Sequence, residues 1–181
     1  WALGHIHKRQ VLSERDPWII YPGNLQGRSA KPSEQGEKGA LIVQVSDSGI
    51  EEPQFIPLDC VRFIENTLDI STLGDMSALQ DAAAERLDEL RVTHGDRGLI
   101  VRVVLRGRSQ LHRDLARPGA LDELTTALRH EVVGQLPVVW IESVRDESEA
   151  PIDREAIMAR GDFAAELLRG IDSVRRDPEA L

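Results

Sequence analysis

The sequence is short of cysteine, of aromatic residues and of long apolar runs, and each shortage narrows what the chain can be. Its one cysteine, Cys60, cannot form a disulfide within the chain, which is typical of a reducing cytosol. A lone cysteine is more often a small core residue than a nucleophile. No apolar run approaches the roughly 18 residues that span a bilayer, and no signal peptide is visible. We therefore expect a cytoplasmic protein with no membrane association.

Basic residues are also outnumbered, with 22 Lys and Arg against 31 Asp and Glu and a net charge of −9. An acidic total argues against non-specific coating of DNA, because contacts to phosphates supply most of that affinity. The charge is uneven. Residues 1–40 have six basic and four acidic side chains, a balance of +2, so the remainder carries −11. Solvated helix faces account for that −11, and a local basic site near the N-terminus stays open.

The first 59 residues are predicted to contain only strands and loops. Short strands are expected at residues 1–4, 10–13 and 18–21, because β-branched and aromatic residues there are bounded by turn residues. A polar segment from Leu25 to Gly39, with three glycines and a proline, predicts a mobile or substrate-facing loop. A hairpin should follow around the Asp47-Ser48-Gly49 turn.

From residue 60 onward the pattern changes to alternating strands and helices. Strands are predicted at 61–70, 98–105 and 137–144, and helices at 75–93, 110–116 and 118–132. Asp75, Asp153 and Asp162 are expected to cap helices. In the last helix the predicted apolar face is formed by Phe163, Leu167, Ile171 and Val174. One-sided apolar helices beside three strands indicate an α+β layer, one sheet with helices on one face.

The segment Gly4-His5-Ile6-His7 carries the clearest chemical signal. Two histidines one residue apart, after an apolar stretch and a glycine, can direct both imidazoles at one small volume. Neutral imidazoles are common ligands of Zn, Mn, Fe and Ni, and two of them need carboxylate partners to build a two-metal site. The pair alone is weak evidence, and paired surface or strand histidines remain the alternative.

The surrounding segments resemble the end of the calcineurin-like metallophosphoesterase domain, and more narrowly its DNA-repair exonuclease branch, the SbcD-type nuclease subunits. The first signals are Gly4–His7, then Tyr21-Pro22-Gly23-Asn24, then Gln35-Gly36-Glu37-Lys38-Gly39 before a hairpin. Further along, Phe55–Asp59 is similar to that family's exit from the nuclease domain. Segments similar to its C-terminal capping domain are Leu105–His112 and Trp140–Glu142. The resemblance therefore covers essentially the whole chain.

The resemblance implies an α+β protein in two parts. Residues 1–59 would be the β-rich C-terminal end of the metallophosphoesterase sandwich, and residues 60–181 a small capping and DNA-binding α+β domain with a three-stranded sheet. It further implies two divalent metal ions, Mn²⁺ by family likeness, with His5 and His7 each holding one. DNA and an SbcC-type ATPase subunit are the implied partners. Candidate contacts to substrate phosphate are Tyr21, Gly23, Asn24, Arg9 and Arg28.

The chain also departs from that family. The family's earlier motifs supply an Asp-x-His, a Gly-Asp with a bridging aspartate and an Asn-His pair, and none is recognisable here. Gly-Asp occurs at Gly74-Asp75, Gly95-Asp96 and Gly161-Asp162, where helix caps and a turn explain it. We therefore expect the C-terminal portion of a nuclease, unable to assemble a two-metal site alone, inactive by itself and without a catalytic residue of its own.

Two other functions fit the same sequence. The chain can be a non-catalytic α+β interaction or DNA-binding module, or part of a phosphoesterase that acts on small molecules. For Tyr21, Gly23 and Asn24 an ordinary Pro-Gly turn is as good an explanation as phosphate contact. Because strands in residues 1–58 would have unpaired edges, which invite partner strands, self-association as a homo-oligomer or disorder of this region is expected.

Overall fold

A computed structural model of the chain describes residues 1–176, without the side chains of Val174 and Arg176. It separates into two compact units, the first Trp1–Glu149 and the second beginning at Ala150. The division at residue 59 stays a prediction, because compactness alone does not define a domain. Within the described residues, no helix is both long enough and apolar enough to cross a membrane.

The N-terminal part of the first unit consists of short antiparallel pairs. Strand β1 (Gln10–Ser13) pairs with β2 (Ile19–Tyr21). Further along, β3 (Gly39–Ile42) pairs with β6 (Gln54–Pro57), and between them β4 (Val45–Ser46) pairs with β5 (Gly49–Ile50) across the expected turn. The predicted hairpin is therefore confirmed, with a break between its outer and inner strand pairs.

Residues 1–4 do not form the predicted strand. They make one isolated parallel bridge, Ala2 to Ile20, with backbone hydrogen bonds from Leu3 N to Ile20 O (2.8 Å) and from Ile20 N to Trp1 O (2.9 Å). The apolar stretch ends at Gly4, so it is too short to extend the ladder. It nevertheless attaches the His5–His7 segment to β2.

The C-terminal part of the first unit is a three-stranded parallel sheet. Strands β7 (Val61–Asp69), β8 (Gly98–Arg108) and β9 (Val139–Glu149) lie in the order β7-β8-β9. The connections contain α1 (Met76–His94), then α2 (His112–Leu115) and α3 (Ala120–Glu131). Together with the β-rich N-terminal part, this confirms the α+β fold class.

Helices α1 and α3 share one core with the sheet. The core side chains of β8 alternate along the strand, as a pleated strand with one face packed requires. They meet stripes on α1 and α3 whose members recur every three or four residues. The fully buried members of this core include Leu79, Leu87, Leu99, Val101, Leu105, Leu124, Leu128 and Ile141. Each such side chain stabilises the fold by about 1.5–3 kcal/mol.

The predicted helix caps are confirmed. The Asp75 carboxylate accepts a hydrogen bond from Ala78 N (2.9 Å), that of Asp153 from Ala156 N (2.9 Å), and that of Asp162 from Ala165 N (3.2 Å). The remaining Gly-Asp pair, at residues 95–96, is a turn after α1. All three Gly-Asp pairs therefore have structural explanations.

The second unit is a helix pair, α4 (Arg154–Arg160) and α5 (Phe163–Arg176). The expected packing of the α5 apolar face is wrong for three side chains, since Phe163, Leu167 and Ile171 are 78%, 54% and 40% exposed. Within its own unit α5 meets only the seven-residue α4, which is too short to cover that face. Val174, predicted on the same face, lies outside the described side chains.

Two features of residues 25–60 were not expected from the sequence. The polar segment from Leu25 to Gly39, predicted as a mobile or substrate-facing loop, buries the side chains of Glu34 and Lys38. Cys60 is exposed rather than part of the core, since it lies in the connection that leads into β7. In both cases the positions of neighbouring segments, rather than the local sequence, determine the burial.

A buried carboxylate joins the strand pairs to the parallel sheet. The Asp59 side chain is fully buried and accepts hydrogen bonds from Arg62 Nε (2.7 Å), Arg62 Nη2 (3.0 Å) and Arg97 Nε (3.2 Å). Arg62 also lies 3.0 Å from His94 Nδ1 and 3.4 Å from Glu37. Burial raises the pKa of Asp59, but the hydrogen bonds and charges of the two arginines outweigh it, and the pKa is lowered.

Gly23 lets the turn after β2 pack directly against the backbone of the histidine segment. Its φ is +84°, and a Cβ there would lie 2.9 Å from the His7 carbonyl oxygen and 3.0 Å from the Arg9 backbone nitrogen. Only glycine combines this backbone conformation with that proximity at no steric cost. The next residue, Asn24, donates its backbone N–H to the His7 carbonyl oxygen at 3.2 Å.

Replacing Asp59 by alanine should lower the free energy of unfolding by about 3–5 kcal/mol, because buried Arg62 loses its carboxylate. Urea unfolding at pH 7 measures the change. The matched control is Glu147→Ala, which removes a carboxylate from a half-exposed pair with Arg106 and should cost about 0–1 kcal/mol. Since the folded pKa of Asp59 is the lower one, the difference from wild type should shrink as the pH falls below about 4. Equal losses in the two variants would refute the role of Asp59.

Replacing Gly23 by alanine should destabilise the protein more than replacing Gly36. Both positions have positive φ, +84° and +74°, but a Cβ at Gly36 meets nothing within 4 Å. The backbone cost of about 1–2 kcal/mol is therefore common to both, and only the Gly23 variant also displaces His7 and Arg9. Hydrogen exchange of the Asn24 amide should accelerate in Gly23→Ala and stay unchanged in Gly36→Ala, and the same exchange rate in both would contradict the close approach.

Candidate metal centre

The two histidines lie between the isolated bridge at Ala2 and strand β1, in different surroundings. His5 is exposed and has a positive φ of +81°, a conformation that histidine adopts more readily than most residues. Its side chain has no hydrogen-bond partner among the described residues. The His7 side chain is 42% exposed and is held from one side, because its Nδ1 contacts the Glu34 carboxylate oxygen Oε1.

Glu34 lies at the centre of a polar cluster that also contains His7, Asn24, Arg28 and Lys38. Its side chain is 7% exposed. Oxygen Oε2 accepts hydrogen bonds from Asn24 Nδ2 (2.8 Å) and from the Arg28 backbone nitrogen (3.2 Å), while Oε1 takes His7. The pKa of Glu34 is lowered to about 2, first by the hydrogen bond from His7 and then, against the opposing effect of burial, by those from Asn24 and the Arg28 backbone. Glu34 is thus an ionised carboxylate with a donor on each oxygen.

Lys38 supports the backbone of the same segment. Its ammonium group donates to the His7 carbonyl oxygen (3.0 Å) and to the Ser33 carbonyl oxygen (2.6 Å), and the residue is 3% exposed. Burial lowers the pKa of Lys38, while the nearby charges of Glu34 and Asp59 act in the opposite direction. The His7 carbonyl therefore has two donors, Lys38 Nζ and Asn24 N, which restrain its position.

The structure brings three of the predicted site residues onto one carboxylate and leaves the others apart from it. His7, Asn24 and Arg28 all contact Glu34. Gly23 packs on the backbone of His7 and Arg9. Arg9 stacks its guanidinium 4.3 Å above the Phe55 ring, a cation–π contact. Half-buried Tyr21 ends β2 opposite Gln10. Neither Arg9, Tyr21 nor His5 makes a described contact with Glu34.

Sequence reasoning missed Glu34 and Lys38, the two buried charged residues of the cluster. Both lie in a polar segment of a kind that is usually solvated. No local sequence signal marks them, because they reach the histidines only through the return of the segment at Gly39, whose backbone nitrogen donates to the Asn24 carbonyl oxygen at 3.2 Å. A segment that returns beside the Tyr21–Asn24 turn brings its charged residues back to the histidines.

The donor set fits part of a divalent-metal site. With Nδ1 of His7 at Glu34, the other ring nitrogen, Nε2, is left to bind a metal, and imidazole suits Mn, Fe, Zn and Ni. His5 supplies a second imidazole two residues away. Within residues 1–176, no three His, Cys, Asp or Glu side chains come together as a metal-binding group. The described residues therefore supply ligands for a site but do not complete one.

Comparison with known proteins gives a family match over residues 63–149. They match the family model of the metallophosphoesterase YhaO, middle domain. The chain is also 36% identical over 149 residues to the uncharacterized metallophosphoesterase YhaO of Bacillus subtilis (strain 168), an alignment that covers 82% of this chain and 35% of that protein. The chain thus spans about a third of the length of this relative. No solved structure matches the chain significantly. Both matches are to metallophosphoesterases.

Proposed function

We propose that this chain is the C-terminal portion of a metal-dependent DNA exonuclease of the SbcD type, hydrolysing phosphodiester bonds with two divalent metal ions, Mn²⁺ by preference. The observation that carries the proposal is the His7–Glu34 contact. It leaves one imidazole nitrogen free in a chain that is similar to a metallophosphoesterase. Residues 1–59 would close the nuclease domain, and residues 60–181 would form the cap that positions DNA.

The residues of this chain would act as ligands and as supports rather than as acids or bases. His5 and His7 would each hold one metal ion. In two-metal phosphoesterases the ions activate water and stabilise the leaving oxygen of the phosphoester. Glu34 orients the ring of His7, while Asn24 and Lys38 restrain its backbone. The remaining ligands would come from other parts of the complete protein.

DNA is the proposed substrate because exposed basic side chains surround the histidine segment. Lys8 and Arg9 follow His7 directly and are exposed, and the Arg28 side chain is 71% exposed although its backbone is bound to Glu34. Phosphate contacts of this kind position nucleic acid without reading its sequence. The acidic remainder of the chain would confine such contacts to this end of the molecule.

Two protein partners follow from the same proposal. An SbcC-type ATPase subunit is one, on the basis of the resemblance. A second copy of this chain is the other, because an apolar cavity of about 430 Å³ lies beside the short strand pairs, lined among others by Trp1, Trp18, Val43 and Ile50. A non-catalytic interaction module and a small-molecule phosphoesterase remain the alternatives.

We expect the 181-residue chain alone to show no nuclease turnover and at most weak Mn²⁺ binding, because it lacks a third clustered ligand among its described residues. The complete protein should degrade linear double-stranded DNA with Mn²⁺ and lose this activity in EDTA. His7→Ala in the complete protein should reduce turnover by more than the roughly 10- to 100-fold typical of an outer-shell residue. Substitution of exposed His130 on α3 is the matched control and should leave turnover unchanged.

The outcomes separate the three candidate functions. Mn²⁺-dependent cleavage by the 181-residue chain alone would refute the view that it is an incomplete site. If the complete protein hydrolyses bis-p-nitrophenyl phosphate or nucleotides but not DNA, the small-molecule alternative is correct. If it hydrolyses neither and still binds DNA or another protein, the interaction module is correct.

A further inference from the structure

We infer that Glu34 is a positioning residue that fixes the tautomer of His7, placing the ring proton on Nδ1 and leaving the lone pair of Nε2 for a divalent cation. This inference rests on the proposed function for its purpose, but the position of the proton can be tested without any metal. Nothing in the sequence motif Gly4–His7 itself assigns a role to Glu34, which is 27 residues away from His7.

The hydrogen-bond pattern around Glu34 determines which atom carries the proton. An ionised carboxylate can only accept hydrogen bonds, and a neutral imidazole has one nitrogen that donates and one that accepts. Glu34 Oε2 takes two N–H donors, from Asn24 Nδ2 and Arg28 N. Oε1 contacts His7 Nδ1. His7 must therefore donate through Nδ1, and in the neutral ring Nε2 is the accepting nitrogen.

The partners of His7 are themselves fixed, so the contact does not depend on two mobile side chains. Glu34 is buried, and its backbone nitrogen donates to the Lys31 carbonyl oxygen at 2.8 Å. The His7 backbone is restrained at its carbonyl by Asn24 N and Lys38 Nζ. The ring remains 42% exposed, so a ligand can reach it. A carboxylate that orients a histidine in this way is the common outer partner of metal-bound imidazoles.

His5 shows the contrast within the same segment. It is exposed, and among the described residues no carboxylate contacts its ring. Neither tautomer of His5 is selected by its surroundings. The two imidazoles are therefore unequal before any metal binds, with His7 preorganised and His5 adaptable.

The competing explanation is that Glu34 only stabilises the segment from Leu25 to Gly39. The two explanations differ in what the conservative variant does. In Glu34→Gln the side-chain carbonyl oxygen should face the two N–H donors, Asn24 Nδ2 and Arg28 N, which turns the amide NH₂ toward His7 Nδ1. The ring must then accept through Nδ1 and carry its proton on Nε2. In Glu34→Ala no acceptor remains. A purely structural role gives no reason for the tautomer of His7 to reverse in Glu34→Gln.

The test is ¹⁵N NMR of histidine ring nitrogens in the 181-residue chain at about pH 8.5, where imidazole is ordinarily neutral, with His7 assigned by its loss in His7→Gln. Wild type should show His7 predominantly protonated at Nδ1, whereas Glu34→Gln should show it protonated at Nε2. Glu34→Ala should shift it to the Nε2-protonated form that free histidine favours. Glu52→Ala, at an exposed glutamate outside the cluster, is the control and should resemble wild type. A wild-type His7 protonated at Nε2 would overturn the inference.

A second measurement tests whether Glu34 positions His7 for a metal ion. In the complete protein, Mn²⁺ affinity measured by calorimetry should fall about 10- to 100-fold in Glu34→Ala and in Glu34→Gln. If wild type binds Mn²⁺ and Glu34→Ala binds it equally well, Glu34 does not position His7 for a metal. If wild-type complete protein binds no Mn²⁺, the proposed function fails, whereas the NMR result on the proton of His7 stands or falls by itself.

Discussion

A buried carboxylate needs donors, and Glu34 gathers them from three separate segments of the chain. Desolvating an ion is expensive unless hydrogen bonds replace the lost water. Here the replacements are the ring of His7, the side-chain amide of Asn24 and the backbone nitrogen of Arg28. The histidine segment, the turn after β2 and the polar segment therefore hold one another in place. The arrangement of the candidate site depends on this one group.

Asp59 is a second buried carboxylate that needs donors, and it lies in the connection between strands β6 and β7. Its carboxylate is enclosed by Arg62 and Arg97, and Arg62 extends the contact to His94 at the end of α1. Glu34 thus holds together a small β region, which has little core of its own, and Asp59 connects that region to a parallel sheet with a substantial core. The parallel sheet therefore supplies most of the stability, and the β region carries the candidate ligands His5 and His7.

Most of the secondary structure could be predicted from sequence because it depends on local patterns. The stripe of α1, its Asp75 cap and the apolar run of β8 are local signals, and the structure confirms them. The errors occurred where distant contacts decide. Residues 1–4 pair with β2 at a single bridge, the face of α5 has too short a partner, and Cys60 falls in a surface connection. In the site, His7 and Asn24 were recognisable from their motif, whereas Glu34 was not, since its partners are brought to it by the return of the segment at Gly39.

The proposed function depends on one claim, that Nε2 of His7, oriented by Glu34, binds a metal ion in the complete protein and that His5 binds the other. Anomalous scattering from crystals of the complete protein soaked in Mn²⁺, recorded above and below the manganese edge, tests this claim most directly. We expect two anomalous peaks. One should lie beside Nε2 of His7, with Nδ1 still in contact with Glu34, and the other beside His5. Anomalous peaks only at sites remote from both histidines, or a peak at Nδ1 of His7 with Glu34 displaced, would contradict it.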